Sequence, residues 1–135
     1  MGVEKIDHIG IAVKCIEDSL PYYQDVLGME FVGTEEVVEQ KVRVAFLRIG
    51  ESKFELLEPT SDESPVAKFI EKRGGGIHHI AVSVDSIEEA LEKHREMGSR
   101  LIDNEPRVGA HSMRIAFVHP KATSGVLLEL CQPSK

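Results

Sequence analysis

Two stretches of this chain are near copies of one another, and that limits how it can fold. Ile6–Val13 reads IDHIGIAV and Ile77–Val84 reads IHHIAVSV. Each is followed in its own half by an apolar run with an embedded glutamate, FELLEP at Phe54–Pro59 and LLELCQ at Leu127–Gln132. The two histidines His8 and His79 are 71 positions apart, and the two glutamates Glu55 and Glu129 are 74 apart. A short loop insertion absorbs the difference. A duplicated module whose copies face one another gathers His8, Glu55, His79 and Glu129. Two imidazoles and two carboxylates in one place form a divalent-metal site.

The elements between these strands repeat as well. Ile6–Val13 alternates, with Ile6, His8, Gly10 and Ala12 on one face and Asp7, Ile9, Ile11 and Val13 on the other. The apolar second face is expected to pack on a helix over Glu17–Leu27, with Pro21 in its first turn and Gly28 ending it. Strands are expected at Met29–Val38, Val42–Ile49 and Lys53–Glu58. Ser64 followed by Pro65 starts a helix that runs to about Lys72, and Gly74–Gly76 stop it. The pattern then restarts. Ser86 with Glu89 is a capping box for a helix closed by Gly98, and strands are expected at Ser99–Ile102, Ser112–Val118 and Val126–Cys131, with a loop at Asn104–Ala110. The expected fold class is α+β: one domain over 1–135, built from repeats 1–73 and 77–135, each βαβββ, in a curved mixed sheet around a metal-binding cleft.

Composition narrows the partners. A formal net charge of −7 argues against nucleic acid, which needs a basic face. No apolar run is long enough for a membrane span, and no secretory signal pattern opens the chain. Cys15 and Cys131 form no disulfide framework and read as small apolar side chains. A cytoplasmic setting is expected.

Strand alternation sorts the candidates. His79 shares a face with Ile77, Ala81 and Ser83, whereas His78 points to the helix side with Ile80 and Val82. Glu55 and Glu129 sit inside apolar strands, where a carboxylate is costly unless paired or bound to metal. The mixed nitrogen and oxygen donors suit cobalt, manganese, nickel, iron or zinc. His94 reads as a helix-surface or core-edge residue, His119 as part of a turn, and His111 either as an exposed loop residue or as one that covers the cleft.

These residues resemble the vicinal oxygen chelate superfamily, which includes the glyoxalases and bleomycin-resistance proteins. Within it, IDHIGIAV, LLEPTSDESPVAKFI, GGGIHHIAV, DNEPRVGAHS, FVHPK and GVLLEL resemble the methylmalonyl-CoA epimerases. The resemblance implies an isomerase that inverts the carbon between a thioester and a carboxylate through a metal-stabilised enolate. It implies His8, His79, Glu129 and Glu55 as metal ligands, with Co2+ favoured and Mn2+, Ni2+, Zn2+ or Fe2+ possible. It also implies a homodimer and an acyl-CoA substrate. Some epimerases carry glutamine where this chain has Glu55. Some carry a further glutamate where this chain has Val44, so the proton-transfer groups are sought among Glu129, Glu55 and His111. Lys68, Lys72, Arg107, Arg114 and Lys121 are the cations available to the CoA phosphates.

Three rivals share parts of this pattern. A glyoxalase I-like isomerase would use the same ligands on a glutathione adduct. A drug-sequestering binder needs an aromatic-lined cleft, and this chain has no Trp, two Tyr and five Phe. An extradiol dioxygenase would use two histidines and one carboxylate around iron.

Overall fold

The computed structural model describes residues 2–133, which form two compact units. One comprises residues 8–78, and the other comprises residues 79–133 together with residues 2–7. The N-terminal residues join the latter through Gly2, whose N–H donates to Asp85 Oδ1 at 3.1 Å. Asp85 N–H returns a bond to the Gly2 carbonyl at 3.3 Å.

The unit of residues 8–78 holds strand β1 (Val3–Ala12) from His8 on, helix α1 (Ile16–Pro21), strands β2 (Glu30–Val37), β3 (Val42–Ile49) and β4 (Ser52–Pro59), and helix α2 (Pro65–Arg73). Its strands lie in the order β2-β3-β4-β1. β1 runs parallel to β4, while β4, β3 and β2 pair antiparallel. The other unit holds β5 (Gly76–Val84, from His79 on), α3 (Ile87–Met97), β6 (Arg107–Val108), β7 (Arg114–Val118) and β8 (Leu128–Gln132), in the order β5-β8-β7-β6. Here too the first strand is parallel to the last, and the rest are antiparallel.

Alternation decides which face each strand buries. In the first unit Ile16, Ala45, Leu47 and Leu56 form a buried cluster joined by Ile11, Val13, Leu20 and Tyr23, so the face opposite His8 packs under α1 as expected. In the second, Val84, Ile87, Leu91, Ala116, Val118 and Leu130 do the same under α3. The other face of the second sheet carries a separate cluster of Ala81, Ile115, Phe117 and Cys131.

Each helix start is tied to the last strand of its own sheet. Ile16 N–H donates to Glu58 Oε1 at 2.8 Å, and Ile87 N–H donates to Gln132 Oε1 at 2.8 Å. Glu58 lies three residues after Glu55, and Gln132 three after Glu129. Orphan amides of the first helical turn are thereby satisfied by side chains beside the candidate carboxylates.

Three expectations are corrected. The helix expected over Glu17–Leu27 is α-helical only to Pro21, which stands at its end rather than in its first turn. Residues Tyr22–Val26 form a π-helical turn, with Leu27 N–H donating to the Tyr22 carbonyl at 3.0 Å. Proline supplies no N–H and crowds the turn before it, which favours a widened turn. Gly28 does end the element, at φ +71. The strand expected at Ser99–Ile102 is reduced to one bridge, Leu101 to Val118. Asp103 Oδ2 captures the Phe117 N–H at 2.8 Å, taking the donor that a longer ladder would use. The pairing instead resumes at Arg107–Val108, inside the expected loop. The helices capped by Ser64 and Ser86 form as expected, with each hydroxyl accepting a first-turn N–H.

Candidate metal centre

Each unit holds a buried imidazole–carboxylate pair. His8 on β1 places Nδ1 3.2 Å from Glu55 Oε2 on β4. His79 on β5 places Nε2 3.1 Å from Glu129 Oε1 on β8. These side chains are 6–7 % exposed. The pairing follows from the register: Gly10 lies beside Glu55 on the parallel strand, and Ala81 lies beside Glu129. Each histidine is two residues before that small neighbour, on the same face, so it reaches the carboxylate across a gap that no bulky side chain fills.

The antiparallel side of each pair is also alike. Phe46 is the partner of Glu55, and Phe117 is the partner of Glu129. The Phe117 ring meets His79 edge to face at 5.6 Å. These aromatic walls, which limit water at the pair, were missed in the sequence. So were Glu58 and Gln132. The available signal was a polar residue three positions after each embedded glutamate; the phenylalanines lie on the preceding strands, at different separations.

The remaining candidates fall elsewhere. His78 faces the helix side and packs edge to face on Phe69 of α2 at 4.9 Å, as alternation predicts. His94 Nδ1 lies 2.7 Å from the Ala90 carbonyl on its own helix. His119 caps the short turn Pro120–Ala122 by accepting the Lys121 N–H at 3.0 Å. Partial burial, then repulsion by Arg100 and Lys121, pushes its pKa below the ordinary 6.5. His111 is exposed on the loop after β6, at φ +57. Val44 is buried on β3 beside Leu57, on the His8 face.

Among the cations proposed for CoA, Arg114 is held by Glu88, whose carboxyl it keeps below the usual range. Arg107 lies over the Phe117 ring at 5.5 Å and 3.4 Å from Asp103 Oδ1. Lys68, Lys72 and Lys121 are exposed. Ser83, on the His79 face, is 6 % exposed, and its hydroxyl has no hydrogen-bond partner among the described residues. Cys131 is buried and Cys15 half-buried, both as reduced cysteines.

Two imidazole nitrogens and two carboxylate oxygens with no thiolate are the donors a catalytic rather than a structural metal site uses. Strands of this arrangement are shared with known proteins. Residues 7–117 match the Glyoxalase/Bleomycin resistance protein/Dioxygenase superfamily. An ethylmalonyl-CoA/methylmalonyl-CoA epimerase of Cereibacter sphaeroides is 37% identical over 132 residues, covering 96% of this chain and 98% of the relative. The crystal structure of methylmalonyl-CoA epimerase from Mycobacterium tuberculosis superposes with a TM-score of 0.94 at 36% identity, over 98% of this chain and 90% of that one. A methylmalonyl-CoA epimerase in complex with methylmalonyl-CoA and ammonium superposes with a TM-score of 0.91 at 40% identity, over 96% and 94%. The chain therefore belongs to the glyoxalase superfamily and, within it, to the methylmalonyl-CoA epimerase family of isomerases. The glyoxalase-like α+β fold expected from the sequence is the fold it has. No helix of the described residues is long and apolar enough to cross a membrane.

Proposed function

We propose that the chain interconverts (2R)- and (2S)-methylmalonyl-CoA, with His8, Glu55, His79 and Glu129 together serving one divalent cation. The observation that carries this reading is the matched pair of buried contacts, His8 with Glu55 and His79 with Glu129. A buried ion pair is often no more stabilising than apolar residues of the same volume. Keeping one such pair in each unit therefore points to use rather than to stability. The names of the relatives and the acyl-CoA bound to one of them support the substrate class.

Cobalt is the ion the family resemblance favours, and the same nitrogen and oxygen donors suit manganese, nickel, zinc or iron. When bound, the ion supplies a Lewis acid for a thioester carbonyl oxygen, which stabilises the enolate form of the substrate. The chain's own residues do the rest. Phe46 and Phe117 exclude water beside the carboxylates. Glu129 moves a proton at the carbon between thioester and carboxylate, and Glu55 and His111 are the further candidates for the opposite side.

The test is deuterium uptake at C2 of methylmalonyl-CoA in D2O, followed by NMR, with protein before and after chelation. Uptake that disappears with the chelator and returns with added Co2+ is expected. No uptake by metal-loaded protein, with turnover of the glutathione hemithioacetal of methylglyoxal instead, would assign the glyoxalase reaction.

A further inference from the structure

We infer that Glu35 is a catalytic residue of this site, serving as the proton-transfer group that Val44 cannot supply. The inference rests on the epimerase reading and deepens it. Inversion at a carbon needs a base on one face and an acid on the other. Glu129 takes one of these roles in the reading above, and the β3 position between Glu35 and Leu57 is Val44, which carries no proton, so the opposite face needs a further group. The face of the first sheet that carries His8 and Glu55 also carries Val42, Val44 and Phe46 of β3. On β2, the next strand out, that face carries Gly33, Glu35 and Val37.

Glu35 points there because of a bulge. Glu30 pairs with Arg48 and Phe31 with Leu47, but the next partner, Phe46, pairs with Gly33, so Val32 is the extra residue. Gly33 has φ +141, a conformation that L side chains rarely adopt. Without the bulge Glu36 would face inward. With it, Glu36 turns outward opposite Arg43, and Glu35 lies opposite Val44. A bulge that re-aims a side chain is a recurrent device beside active sites. Glu30 shares the inward face but is exposed at the strand end, where it holds Arg48.

Glu35 is half-buried and its row continues through Val44 and Leu57, both buried and apolar. Adjacent strands are about 4.8 Å apart. A glutamate on β2 can therefore lean across Val44 and present its carboxylate where a β3 side chain would. From Glu35 to Glu55 is two strand spacings and one two-residue step, about 12 Å between Cα atoms in a flat sheet. That span leaves room for a small acyl group between Glu35 and the His8–Glu55 pair.

The step balances. The C2–H bond breaks, its electron pair passes into the thioester carbonyl, and the proton goes to the Glu35 carboxylate. A new C2–H bond forms on the opposite face with a proton from Glu129. The two carboxyls end with their protons exchanged and are reset by reverse turnover or by water.

The experiment incubates each epimer separately with metal-loaded protein in D2O and follows inversion and C2 deuteration. Wild-type protein inverts and deuterates both. In Glu35→Gln, inversion falls at least about 100-fold, one epimer still exchanges its C2 proton, and bound metal is unchanged. Glu35→Asp, the second variant, shortens the reach and lowers inversion at least about tenfold with the same one-sided exchange. Inversion by both variants within a few-fold of wild type overturns the inference. Equal loss of exchange from both epimers, or loss of metal, overturns it too, because Glu35 would then support the whole site rather than one face. Wild-type protein that inverts neither epimer overturns the epimerase reading itself, and this inference with it.

Discussion

Gln132 should contribute to stability out of proportion to its place near the end of the last strand. Its Oε1 accepts the Ile87 N–H at 2.8 Å, and its Nε2 donates to the Asp85 carbonyl at 3.0 Å. Gln132→Ala removes both bonds. Ile87 is fully buried, so its amide has poor access to replacement water, and losing such a helix-start acceptor costs about 1–2 kcal/mol. The Asp85 carbonyl is nearer solvent, and its lost bond adds about 0.5 kcal/mol. The sum, about 2 kcal/mol, lowers Tm by roughly 8 °C in a chain of this size. Gln132→Glu keeps the acceptor but loses the donor, and it sets a carboxylate near Glu88 and Glu89 of the first turn. It should therefore lose about 1 kcal/mol despite the favourable helix end. The assay is urea unfolding followed by circular dichroism, with calorimetry for Tm. A Gln132→Ala protein within 0.5 kcal/mol of wild type (about the scatter of a surface substitution) would refute the claim that this side chain ties β8 to α3.

Ser83→Ala should raise stability by about 1 kcal/mol in urea melts, because it removes a buried hydroxyl with no partner among the described residues; a loss of similar size would show that the hydroxyl is bonded after all. Gly109→Ala should cost about 1–2 kcal/mol, since an added Cβ would stand 2.9 Å from Ile115 Cδ1; an unchanged midpoint would mean that Ile115 moves freely. His119 binds its proton less readily in the folded chain than the ordinary 6.5. The unfolded chain therefore takes up that proton first, and stability falls as pH drops through 6.5 and levels off below the folded value. His119→Gln should flatten that part of the urea midpoint against pH, and an unaltered profile would count against it.

What the sequence made legible was whatever obeys strict alternation or standard capping. The faces of β1 and β5 could be read because polar and apolar residues alternate there, so His79 was separable from His78. The caps at Ser64 and Ser86 could be read because the hydroxyl and its amide are local. The features that escaped depend on one-residue irregularities or distant partners. The π turn after Pro21 hides inside an ordinary helical pattern. Asp103 ends a strand by bonding an amide fourteen residues away. The inward position of Glu35 depends on the bulge at Val32, and a single added residue reverses every side chain after it. The phenylalanines opposite Glu55 and Glu129 emerge only once the antiparallel register is known.

The claim that two histidine–glutamate pairs, one in each unit, serve a single ion is tested most directly by counting metal. Purified protein stripped with chelator, titrated with Co2+ and assayed by mass spectrometry should bind one ion per chain, and His8→Ala and His79→Ala should each abolish it. Two ions per chain, or an ion retained with full affinity in either variant, would contradict the account.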